Sequence, residues 1–529
     1  MSRRIVLVAA ALSACPLHAQ QQPSPHALAS WTVVDMPTGY ETRFAPALAD
    51  ALSGWEADRW GNLVSVVGAG SPRRVVACAL DAPAYAASQI TEDGYLRVHR
   101  IGSGSRHPLW DQAFEAQQVR ILTPTGPVAG VVARSNGHFA RQHRDERTPV
   151  TADDLWVDVG ASSAEEVAAL GIGLLDPIVR HLPPWTLEGE VAGPAAGSRV
   201  GCAAVATLAA AARDGDAPPG EMRFVMSSQS GFGWIGLASH IARGGPVDEI
   251  TVLAPGETEA VSESRPADRL GRLGGVLELA GVEAVTWLAP AVRAPGSHME
   301  AVTLAEGETL LEAATAATGI RSTPDAWAVA PSREPLRTDH IDPALDPVAG
   351  VLDDLVEIHA VSNHEWEVRR YVLEALPDWA RERAVGDGIG NVWVAAGPDR
   401  DTTVFMAHMD EVGFEVAAIA PDGVVTLDRA GGSLPSAWEG QTALLHFDPD
   451  GAPNPRDGDP SRVDPAFKQA SLTATASAPI PGVFLTRADA DERHPHSSRR
   501  TSRILRSALD RCCARSRAPA SRPTASGGA

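Results

Sequence analysis

The sequence predicts an α/β fold laid down twice along one chain. Three observations predict it. Two long stretches match in an ungapped register, each is preceded by an amphipathic helix, and each runs from an apolar strand into a glycine turn. The first stretch, DRWGNLVSVVGAGSPRRVVACALDAPAYAASQITEDGYLRVHRIGS, starts at Asp58. The second, DGIGNVWVAAGPDRDTTVFMAHMDEVGFEVAAIAPDGVVTLDRAGGS, starts at Asp387. Gly61 and Gly390, Asp81 and Asp410, and Gly94 and Gly423 stand at one constant spacing, which chance alignment does not produce.

Each element follows from its pattern. FAPALADAL sets Phe44, Ala47, Leu48, Ala51 and Leu52 on one helical face, and VRRYVLEAL sets Val368, Tyr371, Val372, Ala375 and Leu376 on another. VVACALDAPAY and TVFMAHMDEVGF are continuous apolar runs of the kind that form strands buried on both faces. TEDGY and APDGV then supply the turn of a hairpin. GASSAEE starts a helix, with Ser162 or Ser163 as the cap and glutamates in the first turn. Trp55 and Trp379 occupy matching places after the helices, where packing is the expected role.

Composition narrows the partners. The chain has 529 residues, a formal net charge of −21 and an apolar fraction of 44%, enough for a packed core. An acidic surface repels phosphate backbones, which argues against nucleic acid as a partner. Five scattered cysteines form neither a disulfide framework nor a metal knuckle, and adjacent Cys512 and Cys513 have no further ligands beside them. MSRRIVLVAAALSACPLHA carries two arginines, a short apolar run and a small-residue end, the pattern of a secretory signal cleaved after Ala19. LSAC, ending at Cys15, also resembles a lipoprotein acylation box. The expected location is therefore exported, periplasmic or secreted. No later segment reaches about 18 uninterrupted apolar residues, so no transmembrane segment is expected.

His408 and Asp410 stand at i and i+2 of a predicted strand, so their side chains share a face. That pairing suits a metal ligand and the carboxylate that orients it, and equally a buried histidine satisfied by its neighbour. In the first copy Ala79 stands opposite His408 and Ala82 opposite Glu411; of the three polar residues only the aspartate, Asp81, is shared.

The string DGIGNVWV…AHMDEVGFEV…DG…AGGS…EGQ resembles the co-catalytic zinc aminopeptidases of the glutamyl, or deblocking, aminopeptidase family, whose hallmark is a His-Met-Asp-Glu-Val-Gly strand. DDLWVDVGASSAEEVAALGI, from Asp153 to Ile172, is similar to that family's Asp-Gly-Ala-Ser-Ser segment, which leads out of an inserted β-rich dimerisation domain. The resemblance implies a mixed-sheet, three-layer α/β/α core, two zinc ions (other divalent metals being possible), peptide substrates cut at their N-termini, and a homo-oligomer formed through the inserted domain. It implies His408 as a metal ligand, Asp410 as the residue that orients that ligand, and Glu411 and Asp81 as structural family markers.

The other ligands of the family are not found at their places. Gly197 stands where a bridging aspartate is expected in AAGSRVGC, and Ser230 and Gly231 stand where paired glutamates, one of them the general base, are expected in FVMSSQSGFG. EITVLAP ends without an aspartate. His298 in APGSHME is displaced from the family position and is left unassigned, as a surface residue. His138 falls in the inserted domain with a structural role.

The resulting division is a signal peptide at 1–19, a degenerate first domain at 28–103 and 188–320, an inserted β-rich domain at 104–187, a proline-rich linker at 331–347, a truncated second domain at 348–452, and a disordered or out-of-frame tail at 453–529. Two readings of function compete. One is an exported metal-dependent aminopeptidase-like protein that lacks a complete site. The other is a non-catalytic, peptide-binding or assembly pseudo-peptidase.

Overall fold

The computed structural model describes residues 26–484 and 502–504, except 103–106, 135–148, 185, 188, 256–261, 268–269, 321–326, 339–345, 399–402, 422–423, 432–437, 439–440, 450–451, 476 and 478. The expected signal peptide, Cys15, His138, Cys512, Cys513 and most of the tail lie outside the described residues.

The apolar run at residues 75–80 forms the middle of the main sheet, in the strand Arg73–Ala79. Strand Glu221–Ser227 lies parallel on one side of it and Glu249–Leu253 parallel on the other. Ala284–Leu288 continues the parallel set, while Leu63–Gly68 and Ser262–Pro266 run antiparallel nearer the edges. The result is a seven-stranded mixed sheet, with the short strand Glu56–Ala57 at one edge. Alternate side chains of the central strand enter opposite cores, as the pleat requires. Val76 and Cys78 pack with helices Ala27–Thr32, Glu41–Ala51, Ala196–Ala211 and Leu304–Thr318. Val75 and Ala77 pack with helices Ile235–Gly244 and Gly271–Leu279. This is the expected α/β/α sandwich.

The inserted unit is a closed six-stranded barrel. Its strands are Ala84–Ile90, Leu96–Ile101, Gln118–Thr123, Gly126–Val132, Trp156–Asp158 and Pro177–Arg180. The barrel takes in the glycine-turn hairpin that was expected to belong to the sandwich, so it starts at Ala84 and not at 104. Tyr85, Leu96, Ile121, Val128, Val157 and Ile178 fill its interior. Gly94 makes the hairpin turn at φ +87°, and a Cβ there would lie 2.3 Å from the Ala161 carbonyl oxygen. Ser163 caps the following helix, accepting from Glu166 N–H at 3.2 Å.

The same local geometry recurs in the second copy. Asp58 accepts from the N–H groups of Trp60 and Asn62 and from the Asn62 amide; Asp387 does the same with Ile389 and Asn391. Pro37 bridges Ala82 as Val361 bridges Glu411. Thr38 Oγ1 donates to Asp81 at 2.7 Å, and Ser362 Oγ donates to Asp410 at 2.6 Å.

Four expectations need correction. Residues 403–410 form no strand: Val404, Phe405 and Met406 are 77%, 95% and 93% exposed, and regular pairing starts only at Gly413. In the first copy the matching strand is held by Glu221–Ser227 and Glu249–Leu253; among the described residues no strand flanks 403–410. The helix faces are rotated by about one position, with Ala45, Leu48 and Ala49 buried while Ala47 and Ala51 face solvent. Trp379 is 52% exposed, whereas Trp55 is buried. Finally, the expected tail is ordered well past 453. Asp464 caps a helix Pro465–Thr473, whose Phe467 and Ser471 bury against the helix Trp366–Ala375, with Arg369 Nη1 donating to Ser471 at 3.2 Å.

Candidate functional site

A cavity of about 660 Å³ opens beyond the carboxyl ends of the parallel strands, lined in part by Thr38, Asp81, Ser198, Ser230, Trp234 and Glu300. Ligand sites in open α/β sheets occupy this position. The chain leaves the strand Arg73–Ala79 at Leu80, which carries Asp81 into the cleft.

Asp81 is buried and its carboxylate is fully engaged. Oδ1 accepts from Ser230 N–H at 2.7 Å and Ser230 Oγ at 2.6 Å; Oδ2 accepts from Thr38 Oγ1 at 2.7 Å and Gly231 N–H at 3.1 Å. A carboxylate offers about four acceptor positions, so these donors use all of them. The second carboxylate, Glu300, is also buried. It accepts from Gly197 N–H and Gly296 N–H, both at 2.9 Å, and so caps the N-terminus of the helix Ala196–Ala211, which has no side-chain cap of its own. Burial pushes its pKa up. Glu41 accepts from Gln229 N–H at 2.8 Å, and burial followed by the nearby Asp81 raises its pKa. Arg199, fully buried behind them, is lowered to about 10 by desolvation and so remains a cation at neutral pH.

The two-metal centre that the resemblance implies does not fit these residues. Ala79, Gly197, Ser230 and Gly231 offer no ligand. Gly197 has no space for one, because a Cβ there would stand 2.6 Å from both Pro255 Cγ and Val292 Cγ1. His298 is a further correction: it is buried, not on the surface, and stacks on Trp110 at 3.7 Å and Phe114 at 5.4 Å between ring centres.

In the second copy the His408 side chain is 86% exposed, with Nδ1 2.9 Å from the Asp410 carbonyl oxygen and 3.3 Å from Asp410 Oδ1. Asp410 is held below the usual carboxylate range mainly by the Ser362 hydroxyl. Glu411 Oε1 accepts from Ala360 N–H at 3.1 Å. Asp410 is thus adjacent to His408 as expected, but among the described residues no third ligand joins them. Among the described residues, one group of His, Cys, Asp or Glu side chains is close enough to share a metal ion: His359, Glu367 and His446.

Sequence reasoning missed three features. Cys78 and Cys202 form a disulfide that ties the central strand to the helix Ala196–Ala211, across a separation of 124 residues. No spacing rule links cysteines so far apart. Glu300 and the His359, Glu367, His446 group also belong to no motif.

The curated relatives include the SgcX protein of Escherichia coli (strain K12), 30% identical over 157 residues, which are 29% of this chain and 40% of that protein. They also include a lysyl aminopeptidase of Pyrococcus furiosus, 32% identical over 124 residues, which are 23% of this chain and 34% of that protein. The chain therefore spans well under half the length of these relatives. Among solved structures, the TET1 peptidase of Pyrococcus horikoshii superposes with a TM-score of 0.44 at 20% identity, over 55% of this chain and 98% of that one. Aminopeptidase APDkam598 of Desulfurococcus kamchatkensis gives 0.43 at 20%, over 56% and 94%. The profile of the M42 glutamyl aminopeptidases matches residues 61–272 and 390–451, more than half of the sequence and parts of both copies, and the chain belongs to that family.

Proposed function

We propose that this chain is an exported member of a metal-dependent peptidase family that arose by internal duplication and holds peptide ends in its first-copy cleft without cutting them. The observation that carries this reading is the state of Asp81. Its acceptor positions are filled by Ser230, Gly231 and Thr38, and the positions expected to supply metal ligands around it are Ala79, Gly197, Ser230 and Gly231. A site whose expected ligand positions carry no imidazole, and whose Asp81 is already fully hydrogen-bonded, is poorly suited to hold two hydrated dications against water.

The cleft nevertheless keeps features of a binding site. Ala195 and Trp234 line it, and both hold left-handed backbone at φ 56° and 60°, as does the adjacent Gln229 at 51°. Such strain persists where the surrounding structure imposes it, and it gathers at ligand sites. Among the described residues the Glu300 carboxylate accepts only two N–H bonds and keeps acceptor positions for a peptide α-ammonium, and Trp234 offers apolar surface to its first side chains. Export is supported by the N-terminal pattern and by the disulfide, since such bonds persist in oxidising compartments. Assembly through the barrel is part of the same proposal.

The test is calorimetry with short peptides bearing free or acetylated N-termini, beside hydrolysis of aminoacyl-p-nitroanilides in the presence of added zinc or cobalt. Binding that needs the free terminus, falls in Ser198→Trp and occurs without turnover is expected. Metal-dependent turnover, or the absence of peptide binding, would sink the proposal.

A further inference from the structure

We infer that His359, Glu367 and His446 form a binding site for one divalent transition-metal ion in the second copy, separate from His408 and from the first-copy cleft. Three elements bring the donors together. His359 lies just before the bridge at Val361, Glu367 sits in the first turn of the helix Trp366–Ala375, and His446 follows the strand Thr442–Leu445. One donor atom from each lies within 4.8 Å of the other two. The two imidazoles stack with ring centres 3.9 Å apart and planes 20° apart.

The contact between His359 and Glu367 points to a shared ion. His359 Nδ1 stands 2.7 Å from Glu367 Oε2, an ion-pair contact that is off the line of a well-aligned hydrogen bond. Two donors this close but not aimed at each other are placed to face a third body. Tetrahedral zinc, with bonds of about 2.0–2.2 Å, separates its ligand atoms by about 3.3 Å. The widest pair therefore has to close by about 1.5 Å at most, and the two imidazoles have to rotate out of their stack so that both in-plane lone pairs meet one ion. Arg370 Nη2 lies 3.6 Å from Glu367 Oε1, which orients the carboxylate and leaves Oε2 for the ion. Trp366 meets the His359 ring edge-on at 6.1 Å.

Two imidazoles and one carboxylate select zinc-like ions over magnesium or calcium, which prefer all-oxygen shells. The His359 and Glu367 side chains keep 10% and 19% of their surface in water, so a fourth position is open to solvent. An ion here would fasten the start of the second copy to its later strand.

The experiment uses the whole chain, freed of metal by chelation. Cobalt is titrated while its visible absorption is followed, and zinc is titrated by calorimetry. One ion per chain is expected, with affinity falling at least tenfold in His446→Ala and Glu367→Gln and unchanged in His408→Ala and in the Cys512→Ala, Cys513→Ala double variant. Zinc should also protect His359 and His446 of the unaltered chain from imidazole-modifying reagent, a readout that does not depend on variant folding. Cobalt binding that survives His446→Ala, that is lost in His408→Ala, or that leaves both histidines fully reactive would overturn the inference. Peptide binding in the cleft is measured separately, so the two proposals fail independently.

Discussion

Gly197→Asp restores, in one step, the carboxylate that the family resemblance leads one to expect, and the structure says the protein will not tolerate it. A Cβ at 197 stands 2.6 Å from Pro255 Cγ and from Val292 Cγ1. Carbon atoms prefer about 3.5–4.0 Å, so both neighbours have to retreat by about 1 Å. Overpacking of this kind costs about 1–3 kcal/mol, and replacing glycine in a helix returns up to about 1. Gly197→Ala, which sets that steric cost against the helix gain, should therefore lose about 1–2 kcal/mol. Aspartate adds a charge on a Cβ that stands 3.3 Å from Glu300 Oε1. Two like charges about 4 Å apart repel by about 4 kcal/mol at an effective dielectric of 20. Protonation of Glu300, whose pKa burial already raises, relieves part of that repulsion. The total is about 3–5 kcal/mol, read as the shift in urea midpoint with Gly197→Ala alongside. An aspartate variant as stable as the parent, or one that gains zinc-dependent peptidase activity, would refute the reasoning.

The remaining predictions are these. Asp81→Asn replaces an acceptor by a donor that faces N–H and O–H groups, and should cost about 2–4 kcal/mol; equal thermal stability would show that the cluster is not closed as described. A non-reducing peptide map should recover Cys78 linked to Cys202, and Cys202→Ala should lose about 4 kcal/mol from a loop this long, whereas free thiols at both positions would remove the bond. His364 has its pKa raised, first by the Asp448 hydrogen bond and then by Glu415. Its stabilising contribution is complete below the unfolded value near 6.5 and is lost as pH rises through the raised folded value. Stability from urea titrations should thus fall by about 1 kcal/mol as pH rises above about 6.5 in the parent and not in His364→Gln; parallel profiles would count against it. Phe405→Ser with Met406→Ser should change stability by less than about 0.5 kcal/mol, because both side chains are exposed; a loss of several times that would mean the segment is a buried strand after all.

How much could be read from the sequence depended on how local the determinants were. The sandwich was legible because apolar runs report burial directly, as Val75 to Ala79 show, while the helical pattern gave the helix at 41–51 but not its buried face. Ser163 was legible because capping acts within one turn. The barrel boundary was not, since Ala84–Ile90 is an ordinary strand whose sheet is decided by Pro177–Arg180, far along the chain. The missing ligands at Gly197, Ser230 and Gly231 were legible as absences. What replaced them was not: Glu300 as a helix cap and Cys78–Cys202 as a staple depend on closeness that only the fold creates. The exposure of Phe405 was hidden for the opposite reason. Its local pattern asks for burial, and a strand can be buried only where neighbouring strands exist to pair with it.

On the proposed duplication, the aspartate shared by the two matching stretches is explained without metal. Asp81 ties Thr38 to the Ser230–Gly231 turn, and Asp410 accepts from Ser362, the residue that matches Thr38. In each copy the hydroxyl sits one residue past a backbone bridge, Pro37 to Ala82 and Val361 to Glu411, so the carboxylate locks the crossing between the strand end and the preceding segment. Loss of the imidazole costs the first copy nothing in that arrangement, because Ala79 packs in the core where it stands. Loss of the aspartate would leave four donors without their acceptor. Because the same hydroxyl contact accounts for Asp81 and for Asp410, their presence is weak support for catalysis, and the proposed loss of metal rests instead on Ala79, Gly197, Ser230 and Gly231.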